Sequence, residues 1–257
     1  MRFFKHILQQ LVALGLLSTF AKSDPLYAFP GADVRKVGLG NLYFVALVRE
    51  ENSGKHLCTG SLISKNQVLT SATCVENYEL RKLRVFFGSI GRAIVKKHFG
   101  VIAKQTYQDW TKQRCDNSIS CSWDVQTNDI SILRLDVADT SISPAVIDYS
   151  YNFKSGDRLK VLGWGPTNDG SRPYTAQRGV LEVMSKEMCE ARVRQIILSC
   201  FSTFKLPKQV SCATSTPAVL GRERCPTYSK RDFNPDQINL ILHLSVFEQF
   251  IKETIKS

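Results

Sequence analysis

Short apolar runs separated by turn residues constrain this chain more than any other feature. Tyr43–Val48, Val68–Ser71, Leu83–Phe87, Ile130–Leu135, Arg158–Leu162, Val180–Met184 and Ile238–Leu244 are each four to seven residues long, and most are rich in β-branched or aromatic side chains. The stretch His56–Val75 adds a second short strand ahead of Val68, closed by a local pair of cysteines, Cys58 and Cys74. Strands of this length and spacing predict an all-β sandwich or barrel. Only the tail departs from the pattern. Phe247, Phe250, Ile251 and Ile255 recur at helical spacing, so Val246–Ile255 is expected to form a helix with one apolar face.

The first residues read as a secretory leader. Arg2, Lys5 and His6 precede the apolar run Ile7–Phe20, and Ala21-Lys22-Ser23 supplies small residues for cleavage. The run is too short for a membrane span and is interrupted by Gln9 and Gln10. Residues 1–23 are therefore expected to be removed, leaving a secreted, extracellular chain of 234 residues, enough for a sizeable core. All eight cysteines (Cys58, Cys74, Cys115, Cys121, Cys189, Cys200, Cys212 and Cys225) follow the leader. An even count in an exported chain implies disulfides, and eight cysteines allow 105 connectivities. A zinc site is disfavoured because the sequence holds neither a C-x-x-C pair nor a histidine cluster near the cysteines.

The formal charge of +11 falls to +8 when Arg2, Lys5 and Lys22 leave with the leader. Basic residues cluster at Arg81-Lys82-Leu83-Arg84, at Lys96-Lys97-His98 and from Arg222 to Arg231. Such clusters can attract a polyanion, but a solvated face is the more ordinary role, and no nucleic-acid motif accompanies them. No N-x-S/T sequon and no acidic calcium loop is present.

Four stretches, in order, resemble trypsin-like serine proteases of the chymotrypsin fold. They are Gly60–Ser64 with Val68–Ala72, Asn128–Leu135, Val161-Leu162-Gly163-Trp164-Gly165, and His243–Ile251. The resemblance covers about residues 36–255 and implies two packed six-stranded antiparallel β-barrels with a C-terminal α-helix. Within residues 24–257 it puts the first barrel at roughly 36–145, and the second barrel plus helix at 146–257. It also implies the disulfides Cys58–Cys74, Cys189–Cys200 and Cys212–Cys225, which leaves Cys115 and Cys121 to each other.

The same resemblance assigns catalytic positions, and most are altered. The general base falls at Thr73, whose hydroxyl has no titration near neutral pH. Of the remaining histidines, His56 is expected to be structural, and His98 and His243 fall in strand-like segments, so none is a good substitute base. Asp129 stands where the orienting carboxylate would be and, with no imidazole beside it, is expected to be held by backbone N–H groups. The nucleophile loop is expected after Cys212, where Ala213-Thr214-Ser215-Thr216-Pro217 holds Ser215 but no glycine for an oxyanion hole. Val210 takes the place of the specificity-pocket aspartate. Arg35-Lys36-Val37-Gly38-Leu39 only loosely matches the activation junction, although Arg35 remains a basic residue open to cleavage.

These losses lead to the expectation of a pseudoprotease that needs no cofactor and no metal. Exported homologues without a triad, common in arthropods, act as protein-binding adaptors or regulators, so the partner is expected to be an extracellular protein such as another protease or homologue. Seminal fluid, haemolymph and venom are the settings such homologues imply. Two alternatives remain: a divergent serine endopeptidase working through Ser215, and a secreted polyanion binder.

Overall fold

A computed structural model describes residues 35–36, 43–88, 97–113, 128–139, 141–164, 174–197, 207–214 and 239–256. The chain divides into two compact units. One contains residues 37–151, 174–176 and 244–257; the other contains residues 1–36, 152–173 and 177–243.

The two-residue strand β1 (Arg35–Lys36) belongs to the second unit; the first unit is a closed antiparallel barrel. Its strands are β2 (Val45–Glu50), β3 (His56–Leu62), β4 (Gln67–Thr70), β5 (Leu83–Phe87), β6 (Lys97–Thr106) and β7 (Ser131–Leu135). They close in the order β2-β3-β4-β7-β6-β5. Alternation sorts the side chains of β5. Leu83, Val85 and Phe87 of β5 point inward, while Arg84 and Phe86 between them stay half-buried. Ala46, Val48, Cys58, Leu62, Val68, Leu133 and Leu135 fill the same core from the other strands. Gly60 is required where β3 crosses β4: a Cβ there would lie 2.7 Å from Val68 Cγ1 and 2.9 Å from the Leu69 carbonyl.

Two short helices follow barrel strands. Helix α1 (Ala72–Val75) continues directly from β4, and α2 (Tyr107–Lys112) continues from β6. The Thr106 hydroxyl caps α2 by accepting the Asp109 N–H at 3.0 Å and donating to its carboxylate at 2.7 Å. Helix α3 (Lys186–Ile197) belongs to the other unit. The tail forms a 3₁₀ turn (Leu244–Phe247) and then α4 (Glu248–Lys256), with Phe247, Phe250 and Ile251 buried. It packs on the barrel that β2–β7 build, although the sequence grouped it with the second barrel. Tyr107 meets the rings of Phe247 and Phe250 edge-on, Trp110 Nε1 donates to Glu253 at 3.2 Å, and Gln67 Nε2 donates to the Thr254 carbonyl at 2.7 Å.

In the second unit, β8 (Arg158–Gly163) and β10 (Val210–Thr214) both pair antiparallel with β9 (Gln177–Val183), and β11 (Asn239–Leu242) pairs with β10. Four of these strands curl into a half-barrel, and β1 adds a short pairing at the start of β9. Six strands were implied; the described residues supply these five.

The largest corrections concern α3 and the cysteines beside it. The sequence reading predicted only the tail helix, although Cys189, Val193, Ile196 and Ile197 recur at i, i+4, i+7 and i+8 between the charged residues of 186–197. Helix α3 begins directly after β9, and β9 pairs Val183 with Ala213 of β10. That register brings the first turn of α3 to β10, and Cys189 is bonded to Cys212 with Cα atoms 5.4 Å apart. The pairings Cys189–Cys200 and Cys212–Cys225 are therefore overturned, whereas Cys58–Cys74 stands as expected. Cys115, Cys121, Cys200 and Cys225 lie outside the described residues.

Peptide mapping of the unreduced protein is expected to recover one cross-linked species joining the Cys189 and Cys212 peptides. Replacing both cysteines by alanine, which opens a span of 23 residues, should lower stability by about 3 kcal/mol in urea unfolding.

Candidate functional site

The register between β4 and β7 builds the site. Thr70 of β4 pairs with Ser131 of β7, so the residues just beyond each meet one another. On one strand these are Ser71 and α1; on the other, Ile130 and Asp129. Asp129 is only 1% exposed, and its carboxylate is filled by donors from this short stretch. The Thr73 N–H donates to Oδ1 at 2.7 Å. The hydroxyls of Ser71 and Thr73 donate to Oδ2 at 2.5 and 2.9 Å. Ser71 stands at the N-cap of α1, yet its hydroxyl makes no cap bond to the helix and is turned to Asp129.

Thr73 and Asp129 thus sit together, as the sequence expected, but one detail of the expectation changes. Backbone N–H groups were to satisfy the carboxylate, and only Thr73 supplies one; two side-chain hydroxyls supply the rest. Ser71 was not singled out in the sequence, although a serine two residues before Thr73 was the available signal. Chemically, the cluster is one carboxylate and two aliphatic hydroxyls, with no imidazole between them.

Just beyond α1, Lys104 Nζ donates to the carbonyls of Val75, Glu76 and Tyr78 at 2.8, 2.9 and 3.1 Å, tying off the end of that helix. Partial burial lowers the Lys104 pKa from its ordinary value. Burial raises the pKa of Glu76, and the nearby Asp129 carboxylate adds to the rise, with Lys104 opposing it.

The remaining candidate positions fare differently. Ser215 and its following residues lie outside the described residues. Ala213 and Thr214, immediately before it, are buried in β10 and paired with Val183 and Glu182 of β9. They belong to a sheet, where a nucleophile loop was expected. Val210, which stood for the missing pocket aspartate, is likewise a buried residue of β10, paired with Leu242. Arg35 and Lys36 of the loosely matching activation junction form β1.

Of the histidines, His56 is buried in β3, and His98 lies exposed on β6 against the Phe86 ring. His243 accompanies a serine. Its Nε2 is 2.5 Å from Ser211 Oγ, and its ring packs edge-on against Phe153 at 4.6 Å. Ser211 belongs to a strand whose backbone is paired with β11, so the pair bridges β10 and the end of β11 as a packing feature. Burial lowers the His243 pKa from its ordinary value of 6.5.

Each described lysine and arginine of the basic clusters is paired with a carboxylate. Glu79 binds Arg81 at 2.6 Å and Lys82 at 3.3 Å, Glu51 binds Arg84 at 2.6 Å, and Asp139 binds Lys97 at 2.9 Å. Arg222–Arg231 falls outside the described residues. The barrel unit also carries a surface cavity of about 480 Å³ beside Tyr43, Phe44, Pro144 and Val146, and Val146 is 96% exposed. Among the described residues no cluster of metal-binding side chains occurs, and no helix is long and apolar enough to cross a membrane.

Comparison with known proteins gives a consistent result. A family model described as Trypsin matches residues 37–217. Trypsin alpha of Drosophila melanogaster is 26% identical over 179 residues, spanning 68% of this chain and 62% of that relative. The match to human transmembrane protease serine 5 is also 26% and spans only 33% of that protein. Glucanase inhibitor protein 2 of Phytophthora infestans is 26% identical over 222 residues, or 81% of each chain. Among solved structures, the mouse brain serine protease neuropsin superposes with a TM-score of 0.62 at 15% identity, covering 87% of this chain and 99% of that one. A mutant of human heparin binding protein superposes with a TM-score of 0.60 at 16% identity, covering 88% and 96%. At these identities the structural likeness speaks to fold.

Two consequences are measurable. Asp129→Ala strands two hydroxyls and an N–H at once, and should lower stability by about 3 kcal/mol in urea unfolding. His243 resists protonation when folded, whereas the unfolded chain takes up that proton near 6.5. Its contribution is therefore intact above that pH and lost as pH falls below it. The urea midpoint should drop between pH 7.5 and 5.5, and less steeply in His243→Gln.

Proposed function

The chain belongs to the trypsin family, and on that premise we propose that it is a secreted, non-catalytic member that works by binding another protein. The observation that carries this reading is the occupancy of Asp129. In a serine protease mechanism the carboxylate orients an imidazole, which takes the proton from the nucleophile. Here the carboxylate already accepts from Thr73 and Ser71, and the residue beside it has no basic nitrogen to receive a proton.

The bond between Cys189 and Cys212 bears on the other half of the mechanism. With Cys212 committed to α3, the cysteine left to precede a nucleophile motif is Cys225. The residues after it are Pro226-Thr227-Tyr228-Ser229-Lys230, with Glu223 two positions before. This register puts a serine four positions after the cysteine and an acidic residue two before it, where the earlier one had Ser215 three after and Val210 two before. It still offers no glycine for an oxyanion hole, and it does nothing to replace the base.

A protein partner is favoured over a polyanion because the described basic residues at 81, 82, 84 and 97 each face a carboxylate. Exposed Tyr43 and Val146 beside the barrel cavity offer apolar contact of the kind protein interfaces use. A relative whose name describes an inhibitor of a glucanase is consistent with this scaffold acting through binding. Disulfide bonding supports a secreted location.

The purified protein should show no labelling by a fluorophosphonate probe, and Thr73→His should hydrolyse no peptide ester above a buffer control. Labelling of the unmodified chain that disappears in Ser229→Ala or Ser215→Ala would overturn the non-catalytic reading.

A further inference from the structure

We infer that this chain works uncut: a trypsin-type cleavage ahead of the barrel is blocked, because its only possible sites are held in a sheet. The inference concerns the covalent form of the protein and is independent of whether it catalyses anything.

Two observations combine. Between Ser23 and Val48 the sequence holds only two basic residues, Arg35 and Lys36; the next is Arg49 on β2. Enzymes that cut after arginine or lysine therefore have two bonds to choose from, Arg35–Lys36 and Lys36–Val37. Arg35 and Lys36 together are β1, with Arg35 opposite Arg178 and Lys36 opposite Gln177 of β9.

The place of β1 in the sheet explains why it should stay there. β8 pairs with β9 on one side from Glu182 to Gln177. On the other side β10 reaches only Val183 and Glu182. Among the described residues, β1 is the strand that pairs with this remaining edge at the beginning of β9. A protease must draw its substrate into its own cleft as an extended strand, so β1 would first have to leave β9. Cleavage then follows the small population in which it has done so. A cut at Arg35 would also divide the two-residue ladder, leaving a single pairing on each fragment.

The test uses the full chain secreted from eukaryotic cells. Intact mass and N-terminal sequencing should give a mature chain that begins before Arg35. Under native conditions, trypsin should cut at Arg35 or Lys36 at least tenfold more slowly than it cuts a synthetic peptide spanning Asp33–Asn41, which carries the same sequence without the sheet. A secreted protein that begins at Lys36 or Val37 would overturn the inference. So would native cleavage within tenfold of the peptide rate.

Discussion

Pairing between β4 and β7 is the interaction on which the rest of the barrel unit depends. It closes six strands into a ring, and it joins segments more than 60 positions apart in sequence. Closure leaves no free edge in that unit and gives the inward side chains of all six strands one shared core. It also brings the end of β4 against the start of β7, which is where Asp129 meets Ser71 and Thr73. A carboxylate at 1% exposure is tolerable only with donors around it, and this junction supplies three. The cluster therefore contributes to architecture as a satisfied polar plug. The proposed loss of catalysis follows from the same contacts, since the donors that satisfy Asp129 stand where an oriented base would have to be.

The second unit depends on a different link. Helix α3 would otherwise hang from the end of β9, but the Cys189–Cys212 bond fastens its first turn to β10, and the Met184 N–H donates to the Cys212 carbonyl at 2.9 Å beside it. This bond changes how the sequence after it is read. While Cys212 was free to pair with Cys225, Ala213–Pro217 could be taken for a remnant nucleophile loop. Once Cys212 belongs to β10, its neighbours Ala213 and Thr214 become interior strand residues and Val210 a core side chain. Ser229 and Glu223 then become the residues to weigh, and the case for an inactive chain rests on the missing base at Thr73.

Charge is the third constraint, and structure reduces its weight. The sequence shows runs of Lys and Arg that invite a polyanion. In the fold, Glu79, Glu51 and Asp139 stand opposite the described members of those runs. Pairs of this kind at the surface add little stability, but they lower the local field a polyanion would sense.

The sequence by itself determined the all-β class, most of the first-barrel strands, the tail helix and the local Cys58–Cys74 bond. Each rests on residues close together in the chain, where side-chain period and spacing fix the outcome. It also placed Thr73 and Asp129 at one site through resemblance. It missed α3, and it marked β6 only through the strand-like segment around His98, since Gly100 and Lys104 dilute the signal beyond it. Only the tertiary structure decided the partner of Cys189, the hydroxyl of Ser71 on Asp129, the packing of α4 on the barrel, and the use of Arg35–Lys36 as an edge strand. The physical reason is common to all four: each is a contact between segments that approach only after strand register is set, and register is a property of the closed sheets, which no local pattern contains.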